Sequence, residues 1–366
     1  MTVLDIAHLR LHNQQIACSD CSTPAQLVAR LGAVQAQDYA GAKWAIGLRL
    51  TDSTDEQIEE AFAAGSVLRT HVLRPTWHVV APGDIRWLLE LTAPRVRAAM
   101  AYYDRLLELD DTVYTRSNAA LTAALQGGRQ LTRAELATAL QRAGIESGNL
   151  QRLGHLLMRA ELDAIVCSGA RRGKQHTYAL LDERAPQAKR LVRDEALAEL
   201  AGRYFASHGP ATLKDYVWWS GLTAADAKAG LEMIRPRLAC DALGGETYYW
   251  HAATVPATQS PSPTVYLLPN YDEYLVGYAD RGAVFDASWT SALGPRGNIL
   301  FNHTIIVNGR VAGIWKRGVR KGTAVVTVQP FAPLGATELG AVGGAAGRYG
   351  SFLALPMTVE LDRAGS

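Results

Sequence analysis

The sequence predicts an α+β protein made of tandem winged helix-turn-helix motifs, followed by a C-terminal β-domain. Residues 117–181 carry the pattern of three short helices and then a β-ribbon, which is typical of a winged helix. The same order recurs at 190–250, and the first third of the chain follows it as well. Beyond residue 264 strands and turns dominate, so we expect three winged-helix motifs before the β-domain.

Length and composition indicate a globular chain. The 366 residues are enough for two or three domains, and 48% hydrophobic with 20% charged residues exclude a mostly disordered chain. No run of 18 apolar residues occurs, and residues 1–15 lack the basic and apolar regions of a secretory signal. Four cysteines do not make a disulfide scaffold. We therefore expect a cytoplasmic protein without a membrane partner.

The N-terminal unit, predicted over 1–115, begins with helices. Thr23 followed by Pro24 is a strong helix start, because the hydroxyl caps the helix and proline fits its first turn. A further helix is predicted within 51–65, where acidic residues follow a cap and a glycine ends the pattern. The β-branched and aromatic stretch 71–80 indicates strands.

The next two units repeat this order over 116–188 and 189–251. In the first, Thr132 and Glu135 have the spacing of a capping box at a helix start, and a strand pair with a basic turn closes the unit. In the second, Thr223 is the predicted cap of a short helix, and another strand pair follows. Both units are therefore predicted to be winged helices.

A segment rich in Ala, Thr, Pro and Ser, residues 252–264, separates these units from the β-domain predicted over 265–366. Strands are predicted over most of 264–331. Within that range, Asn308-Gly309 between apolar runs is the strongest hairpin signal in the chain. One late helix is predicted within 335–353.

The formal net charge is only +2, but charge is distributed unevenly. Between 129 and 190 eleven basic residues face six acidic ones, and between 293 and 322 six basic residues occur with no acidic one. The stretch 51–68 has five acidic residues and no basic one. Basic ribbons suit contacts with DNA phosphates, and the alternative is a solvated hairpin whose charge aids solubility. Their coincidence with the winged-helix pattern favours nucleic acid.

Motifs of known chemistry are scarce. Cys18 and Cys21 form a C-x-x-C, but Cys167 and Cys240 are isolated, and a zinc site usually needs four ligands. There is no Walker A, G-x-S-x-G or H-E-x-x-H sequence. We therefore expect no metal and no other cofactor.

Two glutamines in the segment 31–50 alternate with apolar residues. An extended backbone would place the amides of Gln35 and Gln37 on one face, with Val34 and Ala36 on the other. On a helix the two amides would point about 200° apart and could hardly act together. From spacing alone, two ordinary surface glutamines remain the alternative.

Several segments together resemble a known family, the AlkZ-type winged-helix DNA glycosylases, which open alkylation crosslinks and protect producers of the antibiotic azinomycin. The resemblance covers residues 5–330. The family motif is Gln, an apolar residue, then Gln or Asp, and it falls here on Gln35, Ala36 and Gln37. In having Gln at position 37, the chain resembles the crosslink-specific branch of this family. The matching segments are 35–38, 68–80, 216–222, 267–278 and 305–317.

The resemblance implies three tandem winged-helix motifs, a C-terminal β-domain and a concave DNA-binding face. It implies a monofunctional DNA glycosylase that hydrolyses the N-glycosidic bond of N7-alkylated purines and unhooks interstrand crosslinks such as those of azinomycin. Gln35 and Gln37 are then the catalytic residues. The partner is double-stranded DNA carrying alkylated or crosslinked purines, bound by a monomer in a bacterial, nucleoid-associated setting.

Glutamine chemistry is consistent with such a substrate. An amide cannot titrate as a general base near pH 7, so the paired-carboxylate logic of glycosidases does not apply. An N7-alkylated guanine is already a cation and leaves without a general acid. Two amide oxygens can orient one water beside the sugar and meet the developing positive charge with their dipoles.

DNA contacts are expected on the basic ribbons and beside the motif. Arg74 and His78 either support the catalytic segment or touch a phosphate. An open cleft would let the motif approach a tethered base that cannot be flipped fully into a closed pocket. The predicted DNA-binding residues are Arg74, His78, Arg171, Arg172, Lys174, Arg296, Lys316, Arg317, Arg320 and Lys321.

Two other functions stay open at this point. A non-catalytic winged-helix DNA-binding protein or regulator would show sequence-specific affinity and no base release. Regulators usually dimerise on a palindrome, and no clear dimerisation segment occurs in the sequence. A protein that sequesters the antibiotic would bind free drug without DNA.

Overall fold

The computed structural model describes residues 1–254, 263–295 and 297–362, which form a mixed α+β fold. The helices are α1 (Val3–Asn13), α2 (Pro24–Leu31), α3 (Tyr39–Leu48), α4 (Asp55–Ala64), α5 (Ile85–Leu106), α6 (Asp111–Leu125), α7 (Arg133–Arg142), α8 (Leu150–Leu162), α9 (Leu181–Arg184), α10 (Arg193–Ser207), α11 (Leu213–Ser220), α12 (Ala224–Ile234), α13 (Glu273–Val276) and α14 (Ala336–Phe352). Short 3-10 helices lie at Arg235–Arg237, Ala287–Leu293 and Ile299–Phe301.

The strands form four sheets. They are β1 (Val34–Gln35), β2 (Leu68–His71), β3 (Trp77–Val80), β4 (Leu131–Thr132), β5 (Val166–Ser168), β6 (Thr177–Leu180), β7 (Leu238–Leu243), β8 (Glu246–His251), β9 (Val265–Leu268), β10 (His303–Val307), β11 (Arg310–Arg320), β12 (Thr323–Pro330) and β13 (Met357–Leu361). The sheet orders are β1-β3-β2, β4-β6-β5, β7-β8 and β13-β12-β11-β10-β9. Only β12 and β13 among the described strands pair in parallel.

Side-chain caps begin the helices where the sequence predicts them. The hydroxyl of Thr23 accepts a hydrogen bond from the Gln26 N–H at the start of α2, and Thr223 caps α12 in the same way. At the start of α7 the predicted capping box of Thr132 and Glu135 is present in both directions. These predictions are confirmed. They could be made from the sequence because a helix cap depends only on a few neighbouring residues.

The predicted strand pairs are also present. The hairpin at Asn308 and Gly309 joins β10 to β11, and both residues have positive φ, 48° and 83°, as a type I′ turn requires. The stretch 71–80 contributes to β2 and β3, and the strand pairs near residues 167 and 244 are β5–β6 and β7–β8. The predicted boundary between residues 115 and 116 falls within α6.

Hydrophobic cores cross the boundaries between the predicted units. One core joins the N-terminal helices to the C-terminal sheet, where Trp44 of α3 packs against Tyr349 and Phe352 of α14. A second core joins β2, β3 and α5 to α10, α11 and α12. A third lies mainly within α6, α7 and α8. The N-terminal unit is therefore buried against both the third unit and the C-terminal sheet.

The strand prediction for 264–278 was wrong in its second half. Only Val265–Leu268 is a strand, and α13 follows because Asp272 caps it by accepting from the Tyr274 N–H. Asp272 is fixed there by a buried bidentate ion pair with Arg49, which local sequence could not indicate. The late helix is confirmed as α14. Most of the predicted linker 252–264 lies outside the described residues.

Among the helices of the described ranges, none has the length and apolar character needed to cross a bilayer.

Candidate active site

The glutamine motif lies at the end of β1 in an extended segment. Gln35 pairs with His78 across the β1–β3 ladder, and the Ala36 N–H continues the ladder by donating to the Trp77 carbonyl (2.7 Å). Ala36 is fully buried in the core, whereas Gln37 is exposed. The strand ends at Gln35, and Gln37 lies in the bend between β1 and α3, so a common face for the two amides stays a prediction.

Gln35 carries an unused hydrogen-bond acceptor. Its side chain is only 7% exposed, and the carboxamide oxygen Oε1 has no hydrogen-bond partner among the described residues. A buried polar atom without a partner is costly, and such atoms commonly bind an ordered water or a ligand. None of the described residues therefore uses this acceptor at the end of β1.

The backbone of Gln35 is held by a carboxylate 238 residues further along the chain. The Gln35 N–H donates to Glu273 Oε1 at 2.7 Å, and Glu273 is fully buried. Its other oxygen accepts from Trp219 Nε1 (2.9 Å) and lies 3.2 Å from His208 Nε2. Burial by itself raises the pKa of Glu273, but these donors and the nearby Arg74 charge outweigh it and lower the pKa. Glu273 is therefore ionised.

His78 is fully buried behind the motif. Its Nδ1 lies 2.9 Å from the Thr76 carbonyl, which can only accept, so Nδ1 carries the proton. Arg74 Nη2 lies 3.4 Å from the other ring nitrogen, Nε2, which accepts. Burial and the Arg74 charge lower the pKa of His78 to about 3. Of the two roles considered from sequence, supporting the motif fits this neutral, buried ring, since contact with a phosphate requires exposure.

Asp38 follows the motif and is tied to the basic hairpin. One of its oxygens caps α3 by accepting from the Gly41 N–H (3.0 Å), and the other accepts from Arg317 of β11 (2.6 Å). Burial opposes ionisation, but the Gly41 hydrogen bond and the Arg317 charge lower the pKa of Asp38 below its usual range. Asp38 thus joins the motif to the hairpin through a salt bridge.

Tyr39 ties the motif to the other basic ribbon. The Arg171 guanidinium lies 4.9 Å from the Tyr39 ring centroid and pairs with Glu59 (3.2 Å). Glu59 also accepts from the Tyr39 hydroxyl and from Lys43. Arginines from the two predicted ribbons therefore lie against consecutive residues, Asp38 and Tyr39.

Arg69 and Trp77 support the motif from β2 and β3. The Arg69 side chain donates to the Ala36 carbonyl (3.2 Å), and its guanidinium stacks on the Trp77 ring at 4.2 Å from the centroid. Both side chains also line a cleft of about 880 Å³ that reaches α7 and the start of α8. Ala36, between the two glutamines, is therefore fixed at its N–H by the Trp77 carbonyl and at its C=O by the Arg69 side chain.

The remaining predicted DNA-binding residues of the described ranges occupy surface positions. Arg172 pairs with Glu135 (2.8 Å), and Lys174 is exposed in the turn between β5 and β6. On the C-terminal sheet, Lys316 and Arg320 are 68% and 70% exposed and lie near acidic residues of the β13 segment. Lys321 is exposed in the β11–β12 turn, and Arg296 lies outside the described residues.

Sequence reasoning missed Glu273 and its partners His208 and Trp219. The available signal was weak: two adjacent acids, Asp272 and Glu273, interrupt a largely apolar stretch that ends at residue 278. Acids in such a stretch are expected to be buried and paired. Nothing in the sequence indicated that Glu273 would pair with the backbone of Gln35.

The α+β fold thus brings arginines of two ribbons, Arg171 and Arg317, against the two residues that follow the glutamine motif. The sequence model of the family described as DNA glycosylase AlkZ-like matches residues 28–352. The chain belongs to this family of AlkZ-like DNA glycosylases, which are hydrolases of N-glycosyl bonds. Enzyme function thereby replaces the non-catalytic regulator that the sequence had left open.

Two further comparisons agree with this assignment. The chain is 25% identical over 328 residues to a Streptomyces sahachiroi protein named interstrand DNA cross-link repair glycosylase, covering 84% of this chain and 85% of that protein. The solved structure of the Streptomyces sahachiroi DNA glycosylase AlkZ has the same fold, with a TM-score of 0.80 and 21% identity. That match covers 98% of this chain and 99% of the solved chain.

Proposed function

We propose that this protein hydrolyses the N-glycosidic bond of N7-alkylated purines in double-stranded DNA and unhooks interstrand crosslinks of the azinomycin kind. The name of its Streptomyces relative, a cross-link repair glycosylase, supports the crosslink part of this proposal. The protein would act as a monomer in DNA repair and antibiotic self-resistance. Its three helix-then-hairpin units would be winged helices that line a concave DNA-binding face.

The observation that carries the proposal is the unpartnered carboxamide oxygen of Gln35. It is buried beside an exposed Gln37, on a backbone fixed by Glu273, Arg69 and Trp77. In the proposed reaction the two amide oxygens orient one water toward the sugar carbon and stabilise the oxocarbenium-like charge that develops there. Preorganised dipoles of this kind cost no reorganisation during the reaction.

The surrounding groups are consistent with a reaction that needs no general acid. His78 is neutral and buried, and Glu273 is ionised, so neither offers a proton near pH 7. The alkylated base carries its own positive charge and leaves unaided. Normal bases lack this charge, so the same site would leave undamaged DNA intact.

The lysine nearest the motif in sequence supports a monofunctional enzyme. Lys43 is buried and donates to both Asp55 (2.7 Å) and Glu59 (2.8 Å). A Schiff-base nucleophile needs a free amine within reach of the sugar, whereas the Lys43 side chain is engaged by both of these carboxylates. Lyase chemistry through Lys43 is therefore not part of the proposal.

The basic ribbons would hold the DNA on either side of the motif. Arg171 and Arg317 come from different ribbons. Arg171 pairs with Glu59, which also accepts from Tyr39, and Arg317 pairs with Asp38. Arg172, Lys174, Lys316, Arg320 and Lys321 extend these ribbons along the surface, where they would neutralise backbone phosphates.

Base release from defined DNA tests the function. Purified protein should form abasic sites in N7-methylguanine duplexes and should unhook an azinomycin-crosslinked duplex. Gln35→Ala and Gln37→Ala should each lower the single-turnover rate by about 100-fold or more, as expected for loss of one preorganised dipole. Gln141→Ala, on the exposed surface of α7, is the matched control and should keep the wild-type rate. Full activity in both motif variants would show the mechanism to be wrong.

A further inference from the structure

An exposed tryptophan lies between two arginines close to the motif. Trp218 of α11 is 43% exposed, an unusual position for so large an aromatic ring. The guanidinium of Arg74 lies 5.9 Å from its ring centroid, and that of Arg281 lies 5.5 Å from it. Both distances are within the range of a cation–π contact.

Neither arginine has a direct ion-pair partner in the described part of the chain, where no carboxylate lies within ion-pair distance of Arg74 or Arg281. Among the described residues, Arg74 has hydrogen bonds to the Trp218 carbonyl and to His78, and Arg281 donates to the carbonyls of Leu275 and Ala279. In contrast to Arg49 and Arg317, which pair directly with carboxylates, these two guanidinium groups interact with Glu273, Asp215 and Asp280 only from beyond ion-pair distance.

Burial makes this arrangement costly without an anion. Burial lowers the pKa of Arg74 and of Arg281, and it outweighs the opposing charges of Glu273 on Arg74 and of Asp215 and Asp280 on Arg281. The Nη2 of Arg281 is buried and has no hydrogen-bond acceptor among the described residues. A bound anion would supply an acceptor and a negative charge at ion-pair distance.

The cluster is attached directly to the supports of Gln35. Arg74 contacts His78, which pairs with Gln35 across the ladder, and Trp218 Nε1 donates to the Val276 carbonyl on α13, the helix that begins with Glu273. Gly221, in the left-handed region at φ 68°, lets α11 approach the turn between β2 and β3. A Cβ there would lie 2.2 Å from the Leu73 carbonyl oxygen. The cluster is therefore held in a fixed position beside the motif.

We propose that Arg74, Arg281 and the exposed ring of Trp218 form a subsite for one backbone phosphate of the DNA duplex, next to the nucleotide that Gln35 faces. This inference rests on the proposed function, because it assumes that the motif acts on DNA. Arginine suits a phosphodiester through its paired donors, and an exposed aromatic ring can cover the adjoining sugar or base. Two guanidinium groups repel a cationic base, so the subsite receives the backbone and not the alkylated purine.

Salt-dependent binding to undamaged duplex tests the subsite separately from the chemistry. Affinity of the full-length protein is measured by fluorescence anisotropy over a series of NaCl concentrations. Replacing both guanidinium groups, in Arg74→Gln with Arg281→Gln, should reduce the slope of log K against log salt by about one and weaken binding roughly 5- to 10-fold at 0.1 M salt. Arg281→Gln alone should give part of both effects, and Arg281→Lys should keep most of the slope. Trp218→Ala should weaken binding without changing the slope, because it removes a ring and no charge.

A matched control occurs in the third unit. Arg235 lies 5.2 Å from the Tyr249 ring centroid and also has no ion-pair partner among the described residues, but it donates to Leu238 and Cys240 of the adjacent strand β7. Arg235→Gln should keep the wild-type slope. An unchanged slope in the double variant, with circular dichroism and melting temperature as in the wild type, would overturn the subsite, and so would an equal loss in Arg235→Gln.

The two proposals fail in different ways. Full base release by the Gln35 and Gln37 variants contradicts the catalytic mechanism and leaves the binding slopes untouched. A wild-type slope in the double arginine variant contradicts the subsite, even when base release depends on both glutamines.

Discussion

The motif strand β1 and the basic hairpin β11–β12 hold their polar groups in opposite ways. Around β1 the polar groups are buried, and nearly all of them are fixed by hydrogen bonds from other elements, as Glu273 and His78 illustrate. On the hairpin surface the cations Lys316 and Arg320 are exposed and form solvent-exposed ion pairs, whereas Arg317 of the same strand is tied to Asp38. Buried, fixed dipoles suit the stabilisation of a transition state, whereas exposed cations suit the reversible exchange of counterions for phosphates. Substitutions in the two regions should therefore change different quantities.

The largest effect on stability is expected at Glu273. Glu273→Ala leaves the Gln35 N–H, the Trp219 indole N–H and His208 without their shared acceptor, and this should lower the free energy of unfolding by about 4 kcal/mol. Urea denaturation measures the change. Glu232→Ala, on the exposed surface of α12, is the control and should stay within about 0.5 kcal/mol of wild type. An unaltered urea midpoint in Glu273→Ala would show that buried groups around β1 contribute no more to stability than exposed groups on the hairpin.

Acid should weaken the motif region next. The folded-state pKa of His78 is about 3, below its unfolded value of about 6.5, so the unfolded chain binds the proton more tightly. The stability that this neutral ring contributes is complete above pH 6.5 and declines as pH falls toward 3. Between pH 6.5 and 4 the loss amounts to about 3 kcal/mol. His176 and His303, whose pKa values are both lowered to about 4, act in the same direction.

The variant His78→Gln sharpens this prediction. A glutamine amide can donate to the Thr76 carbonyl and accept from Arg74, but it does not titrate. Urea denaturation at pH 6.5, 5.5 and 4.5 should therefore show a smaller decline in stability for the variant than for the wild type. If the free energy of unfolding fell equally in the variant and the wild type as the pH is lowered, protonation of His78 would not be a cause of the acid sensitivity.

The salt bridge between Asp38 and Arg317 joins the two regions and should have an intermediate effect. Asp38→Ala removes both the cap of α3 and the partner of Arg317, and should cost about 1–2 kcal/mol. Asp38→Asn can still cap the helix and should cost less. A double-mutant cycle with Arg317→Gln measures the coupling, which we expect to be about 0.5–1 kcal/mol. Strict additivity would show that the bridge does not link hairpin and motif.

The smallest effect on stability is expected on the hairpin surface. Arg320→Gln breaks an exposed pair with Glu360 and should change the free energy of unfolding by less than about 0.5 kcal/mol. The same substitution should reduce the salt slope of DNA binding by about one. Lys316→Gln should behave alike, with no change in the single-turnover rate at saturating enzyme. A loss above about 1 kcal/mol in the free energy of unfolding of either variant would show that the hairpin cations stabilise the fold as the buried groups around β1 do.

Local sequence was sufficient for the local parts of the molecule. The caps at Thr23 and Thr132, the Asn308-Gly309 turn and the extended backbone at Gln35 each depend on a few neighbouring residues, and the structure has all of them. The number of winged-helix units and the roles of the glutamines stay predictions. The family resemblance, not composition, indicated the enzyme class that the comparisons establish.

Long-range pairing was beyond the sequence. The Gln35 N–H finds its acceptor 238 residues away, and Asp38 finds Arg317 after 279 residues. No periodicity or spacing encodes such partners, because they are set by how separate layers pack. The same holds for α13, which begins after Asp272. Local propensity favoured a strand there, but Asp272 is fixed by a buried ion pair with Arg49 and caps a helix instead.

The bond between Gln35 and Glu273 also bears on whether the motif can be transplanted. A designer who grafted residues 31–50 into another scaffold would carry over both amides but leave behind the carboxylate that accepts from the Gln35 N–H. A chain shortened after residue 252 would lose the same support. The smallest portable form of the motif is therefore not a contiguous segment. It is the pairing of β1 with the start of α13, where Trp219 and His208 contact Glu273.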